Sequence, residues 1–231
     1  MGLLLAIETS TRQGSLALVR TSETIGSDAL LDHAVLAADQ RHDVQLLAAI
    51  SRLLANQQLH IRDVTVVAFG AGPGSFTGVR LAAAAAQGIG WAAAIPVLGI
   101  SSIQALAVGV ARQYPHLDIA VAVDARLGQI YWRWCAAGSP ILDDPGVVFG
   151  QAQLAQLAVP MSEFVAVGDG WASSVVPSAW RQRAQQVLID VVPRAIDVAP
   201  LARPAMSGRP LTAAGEAQPR YLRGADAWQS A

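Results

Sequence analysis

The chain has 231 residues, enough for one large domain or two small ones, and only 14% of them are charged against about 25% in ordinary domains. A formal net charge of −1 gives no bulk pull towards nucleic acid, and the single cysteine, Cys135, excludes an internal disulfide framework. No run of about 18 or more apolar residues escapes interruption, and residues 3–7 are too short and lack a basic flank, which argues against a membrane span or signal peptide, while the lone cysteine makes a reducing cytoplasm the default. A mean hydropathy of +0.38 leaves an unusually apolar surface, and an apolar surface points to a face covered by a partner.

Residues 3–7 read as a strand buried on both faces, since they form a short continuous apolar run. The run ends in Glu8-Thr9-Ser10-Thr11, and Gly14 turns the chain into a second strand, 15–19, to give a hairpin. Its tip suits phosphate, through hydroxyls and backbone N–H groups, or a cation on Glu8, or a plain hydrogen-bonded turn. A third strand falls between residues 30 and 38. Residues 41–57 form a helix with two stripes: Leu46, Ile50 and Leu53, and a second set of small residues, Val44, Ala48, Ser51 and Ala55. Two stripes call for two neighbours, one of them the sheet.

An apolar run at 64–69 leads into Gly70-Ala71-Gly72-Pro73-Gly74-Ser75-Phe76-Thr77-Gly78-Val79-Arg80 and then an alanine-rich helix reaching residue 94. This is strand, glycine turn, helix: the glycines admit another backbone or a positive φ, Pro73 fixes one φ, and Ser75 or Thr77 caps the helix. A helix start with free N–H groups suits an anion. The known phosphate loops do not fit, because the chain has no lysine and Gly72 and Gly74 are followed only by Gly78. A structural turn is therefore favoured over a phosphate cradle. Within the helix, Leu81, Ala84, Gly88 and Trp91 repeat the small-residue stripe. Gly88 and Gly90 each cost about 1 kcal/mol relative to alanine, which a close backbone approach would offset.

A short strand at 96–100 precedes a helix that Ser101-Ser102 caps and that reaches about Tyr114. The chain then starts again: a strand at 117–123, a turn at 124–128 and a strand at 129–135 echo the opening hairpin. A duplicated two-lobed α/β architecture follows, with its junction near Tyr114. Residues 138–150 read as loops, 151–157 as a short helix, 164–167 as a strand with a Gly168-Asp169-Gly170 turn, and 187–192 as another strand. Four prolines make 193–210 a short helix among loops. Residues 181–231 hold seven arginines against four acidic groups, either a basic end for RNA or a solvated polar tail.

No complete catalytic constellation is visible. His33, His42, His60 and His116 include no pair at helical spacing, so a helical metal site is unsupported. Ser75 lacks the second glycine of a hydrolase elbow. Glu8 and Asp124, at corresponding hairpin tips, are either the acidic floor of a nucleotide cleft or two turn carboxylates.

The residues Leu4-Leu5-Ala6-Ile7-Glu8-Thr9-Ser10-Thr11, Arg41-His42-Asp43, the 70–80 motif, Gly99-Ile100-Ser101-Ser102, Asp124-Ala125-Arg126 and Pro219-Arg220-Tyr221-Leu222-Arg223 together resemble the TsaB (YeaZ) family over nearly the whole chain. The resemblance implies an actin/hexokinase/Hsp70-like (ASKHA) α/β fold with mixed sheets flanked by helices. Its lobes would be residues 1–114, carrying the dimerisation helices, and 115–231, with the last ~20 residues packing back on the first lobe. It implies a non-catalytic subunit of the complex that installs N6-threonylcarbamoyladenosine (t6A) in tRNAs reading codons that start with A. Its partners would be TsaD, a paralogue with a metal-binding histidine pair that this chain lacks, and the ATPase TsaE, with TsaC supplying threonylcarbamoyl-AMP and self-association in isolation.

By that resemblance the interface comprises Arg41, His42, Val44, Leu47, Ala48 and Ser51 on the first helix, and Thr77, Arg80, Leu81, Ala84, Gly88 and Trp91 on the second. Glu8, Thr9, Ser10, Gly72, Gly74, Ser75 and Asp124 are the nucleotide-proximal candidates. No cofactor is expected to bind this chain tightly alone, ATP or ADP belonging to the assembled complex, and no metal residue is assigned. Glu8 stands where the family usually has aspartate, and Asp43-Val44 where it has Ser-Glu or Ser-Gln. The alternative is an active enzyme of the same fold, an ATP-dependent phosphotransferase or a peptidase.

Overall fold

The computed structural model describes residues 2–24, 27–37, 40–139, 146–156, 162–208 and 213–222. Its first half is β1 (Gly2–Glu8), β2 (Ser15–Thr21), β3 (Ala29–Val35), α1 (His42–Asn56), β4 (Val66–Gly72), α2 (Phe76–Ala93), β5 (Val97–Ser101) and α3 (Ser102–Ala111). The second half is β6 (Asp118–Arg126), β7 (Gln129–Cys135), β8 (Val147–Gly150), α4 (Gln151–Gln156), β9 (Phe164–Val167), α5 (Ser178–Arg183), β10 (Gln186–Leu188) and α6 (Ala195–Gly208).

Two five-stranded sheets result, ordered β3-β2-β1-β4-β5 and β8-β7-β6-β9-β10. In each, the first three strands pair antiparallel, and the fourth and fifth add parallel to the first. The hairpin echo in the sequence is thus a repeat of whole-sheet topology. Two-residue alternation explains why β1 is apolar throughout. Leu3, Leu5 and Ile7 face α1 and α2, while Leu4 and Ala6 face α3 and α6.

Helix α3 lies between the two sheets. Ala105 and Val108 pack against the first, and Ile103, Leu106, Ala107 and Val110 against the second, so a helix apolar all round is buried all round. Ser101 caps it by accepting from the Gln104 N–H at 3.2 Å. The far face of the second sheet carries an aromatic cluster of Trp132, Phe164, Trp171 and Trp180, with the Trp171 indole N–H donating to Ala120 O at 2.9 Å.

Several elements depart from expectation. β8 and α5 form where no element was expected. The strand expected over 187–192 is only Gln186–Leu188, and α3 ends at Ala111. Asp124 sits inside β6, beside a register shift, and the turn is Leu127-Gly128. Most notably, α6 runs through Pro200. Proline removes a helical hydrogen bond, but Ala195, Val198, Leu201 and Ala202 bury their side chains against the first sheet, and tertiary packing outweighs propensity. The chain is therefore back on the first sheet by Ala195, earlier than the last twenty or so residues. Asp197 fixes the return: buried beside Gly109, it meets Arg112 at 2.7 Å and Arg194 at 2.9 Å. Arg209 and Arg223 lie outside the described residues. Among the described residues no helix is long and apolar enough to cross a membrane.

Candidate functional site

β4 ends at Gly72 with φ +97°, a cis peptide joins it to Pro73, and α2 starts behind Ser75, whose hydroxyl accepts from the Gly78 N–H at 3.4 Å. The end of β1 fills the space in front of this turn. Ser75 N–H donates to Ser10 O at 2.7 Å, and the Thr9 hydroxyl donates to Gly78 O at 2.7 Å. A Cβ on Gly74 would lie 2.6 Å from Ser10 O, and one on Gly78 would overlap the Thr9 carbonyl oxygen. The glycines are there because another backbone passes over them. Five of the nucleotide-proximal candidates, Thr9, Ser10, Gly72, Gly74 and Ser75, come together here with Glu8, packed on one another.

The Glu8 carboxylate is fully buried. Its Oε1 accepts from Ser10 N–H at 2.6 Å and its Oε2 from the Ser102 hydroxyl at 2.8 Å, while Ser102 Oγ accepts from Gly72 N–H at 3.3 Å. Gly70 makes room for it, since a Cβ there would overlap the carboxylate. Glu8 thus joins the ends of β1 and β4 to the start of α3. Burial pushes its pKa above the ordinary glutamate value, against the opposing hydrogen bonds from Ser10 and Ser102. A raised folded-state pKa favours the protonated form on folding. The associated stability is fully present below the unfolded value of 4.5 and is lost as pH rises through the folded one. Glu8→Gln removes this titration. Thermal unfolding should show its melting temperature gaining on wild type as the pH rises above the unfolded value of 4.5. A pH-independent difference would contradict the assignment.

Asp124 does not join this group by any shared partner. It accepts from Arg126 N–H at 2.8 Å, pairs with the Arg126 guanidinium at 2.9 Å, and its own N–H donates to Asp169 at 2.9 Å. Glu8 and Asp124, open in the sequence between an acidic floor and two turn carboxylates, are each satisfied within their own half. Among the described residues no three His, Cys, Asp or Glu side chains are placed to hold a metal. A cleft of about 250 Å³ opens between α3 and residues 188–197, lined by Gln13, Gln113, Asp190 and Arg194 among others, and none of the nucleotide-proximal candidates lines it.

The other candidates form a surface. α1 and α2 lie on one face of the first sheet, Leu46, Ile50 and Leu53 of α1 and Ala82, Ala86 and Ile89 of α2 turned inward. Their outer sides carry Val44 (75% exposed), Leu47 (63%), Ala48 and Ser51, then Thr77, Arg80, Ala84, Gly88 and Trp91 (76%). Leu81 is half-buried, as is His42, whose Nε2 lies 3.0 Å from Arg12 O; Arg41 pairs with Asp43 at 2.6 Å in solvent. The two helix glycines separate clearly. A Cβ on Gly90 would lie 2.5 Å from Val97 and 2.8 Å from Ala214, whereas one on Gly88 would meet nothing within 4 Å. Gly90 packs the interior, and Gly88 faces out.

A third element lies beside this face, within the last stretch that the family resemblance has packing back on the first lobe. Residues 213–222 run back along α2 as a strap: Gln87 donates to Ala217 O at 2.5 Å, Arg220 N–H to Ala71 O at 2.7 Å and the Arg220 guanidinium to Gly99 O at 2.6 Å. Nothing periodic marks such a segment. Its only sequence signal is the Pro219-Arg220-Tyr221-Leu222 run.

Comparison with known proteins bears on this surface. The family model for TsaD, tRNA N6-adenosine threonylcarbamoyltransferase, matches residues 36–144, a span that contains α1 and α2. The tRNA threonylcarbamoyladenosine biosynthesis protein TsaB of Escherichia coli is 30% identical over 98% of this chain and 96% of its own length. Haemophilus influenzae TsaB is likewise 30% identical, over 98% of this chain and 95% of its own. The solved structure of YeaZ from Pseudomonas aeruginosa superimposes with a TM-score of 0.77 at 30% identity, covering 96% of this chain and 100% of that one.

Proposed function

The chain belongs to the TsaB family, and from that premise we propose that it serves t6A biosynthesis by docking on TsaD through the outer face of α1 and α2. Its role in t6A modification of tRNA is accessory and non-catalytic, with TsaD as its partner in that work. The observation that carries the docking face is Gly88. A mid-helix glycine costs about 1 kcal/mol relative to alanine, and the chain itself offers nothing that needs the space. On the outer sides of the two helices Val44, Leu47 and Trp91 stand exposed, and burying each would contribute roughly 1.5–3 kcal/mol. Small residues between large apolar ones let a second helix pair approach closely and interlock.

The match of the TsaD family model to residues 36–144 supports a partner with like helices. Two like faces pack around a local twofold, and the same geometry lets isolated copies of this chain pair with each other. We place the fold among the actin/hexokinase/Hsp70-like proteins on the strength of the repeated sheet order, with a first lobe of residues 1–114 to which α6 and residues 213–222 return, and a second lobe built on β6 to β10. TsaE and TsaC act with the pair, tRNA is the substrate of the assembly, and the work is done in the cytoplasm. ATP or ADP belongs to that assembly. This chain alone holds no nucleotide tightly, a reading supported by the Thr9–Ser10 backbone standing in front of α2.

Light scattering on a sizing column tests the docking. The chain mixed with its cognate TsaD is expected to elute as a complex with the mass of both. Separate elution of the two proteins at micromolar concentration would overturn the proposal.

A further inference from the structure

At the first turn of α2 the strap builds a three-residue stack in solvent. The Arg80 guanidinium carbon lies 3.6 Å from the centre of the Phe76 ring and 5.7 Å from that of Tyr221, and its Nε donates to the Tyr221 hydroxyl at 2.8 Å. The two rings are 6.5 Å apart. Phe76 is 45% exposed and Tyr221 53%, so the stack stands open outward. Arg80 is the one charged residue of α2, and among the described residues no carboxylate pairs with it. At the other end of the strap Gly215 passes the Trp91 ring, at 3.6 Å from where its Cβ would be.

The strap therefore flanks α2 from Trp91 to Phe76, and the stack is continuous with the face through Arg80, one turn from Ala84. Arg, Tyr, Phe and Trp are the side chains that anchor interfaces, and an arginine already held between two rings loses little further freedom on binding. We propose that the docking surface extends beyond the two helices onto the strap, with Tyr221 and Phe76 holding Arg80 for a carboxylate of TsaD set in an apolar surround. This rests on the docking reading above and adds Tyr221 as a positioning residue. The guanidinium keeps its Nη groups for the carboxylate, while its Nε is taken by Tyr221.

Calorimetric titration of the full chain into its cognate TsaD, with thermal unfolding of each variant alone, tests the inference. Tyr221→Ala and Arg80→Met should each weaken binding by about tenfold or more, and the double variant should lose little beyond the worse single, because the two act as a unit. Arg80→Met should also flatten the salt dependence of the affinity, which a purely structural role would not do. Tyr221→Phe keeps the ring and removes only the hydrogen bond, so it gives a smaller loss in a folded chain even if Tyr221→Ala loosens the strap. Ala48→Arg on α1 separates the two levels. If it abolishes the complex while Tyr221→Ala, Tyr221→Phe and Arg80→Met bind like wild type, the strap inference fails alone. If all four bind like wild type, the docking reading fails with it.

Discussion

The Ala84→Arg chain is expected to stay folded and to lose TsaD by at least about a hundredfold in affinity, the order that an unpaired buried charge commands. Ala84 is exposed midway along α2, between Arg80 and Gly88. Arginine is nearly as good a helix former as alanine, and in the free chain its side chain extends into solvent. In the proposed complex that solvent is replaced by a partner helix. The added volume holds the helices apart and the guanidinium is stripped of water without a carboxylate to meet it. Ala48→Arg, the corresponding change on α1, should act alike, and by the proposed pairing of isolated copies both variants should be monomeric alone. Gln182→Arg on α5 adds the same charge far from the face and should leave the complex intact.

Gly78→Ala should be the most destabilising of the glycine-to-alanine changes in α2, although alanine is intrinsically the better helix residue by about 1 kcal/mol. The added Cβ would overlap the Thr9 carbonyl oxygen, a backbone atom that cannot swing aside. Relief requires moving the start of α2 away from β1, which breaks the Thr9–Gly78 and Ser75–Ser10 hydrogen bonds. Overpacking at about 1–3 kcal/mol and two hydrogen bonds at about 1 kcal/mol each, less about 1 kcal/mol of helix propensity, place the loss near 2–4 kcal/mol. That is a large part of the 5–15 kcal/mol that typically separates folded from unfolded. Gly88→Ala on the same helix should instead stabilise the free chain by about 1 kcal/mol and weaken the complex. Urea unfolding of the two variants separates an interior glycine from an interface one. A Gly78→Ala chain as stable as wild type would show that the junction is not packed as described.

Much of the first half was legible because its signals are local. β1 and β4 are buried on both faces and so read as unbroken apolar runs, and Ser75 and Ser101 announce the helices that they cap. The outer stripe of α1 and α2 was legible too, since small residues at helical spacing on an exposed side are unusual in so apolar a chain. What stayed hidden depends on distant partners. The glycine turn carries no sign that Thr9 and Ser10 fill it. Pro200 obscures α6, whose helix is paid for by the sheet beneath it. β8 is an edge strand with one neighbour, and Asp124 stays in β6 because the register shift beside it moves the turn onward. The strap has no period at all, and only its bonds to Ala71, Gln87 and Gly99 define its path.

Hydrogen exchange of the full chain, alone and bound to its cognate TsaD, tests the docking face most directly. Slowed exchange confined to α1, α2 and residues 217–222, with the second sheet and α5 unchanged, is the predicted result. Protection centred on the cleft lined by Gln13, Gln113 and Asp190, with α1 and α2 exchanging as in the free chain, would contradict it.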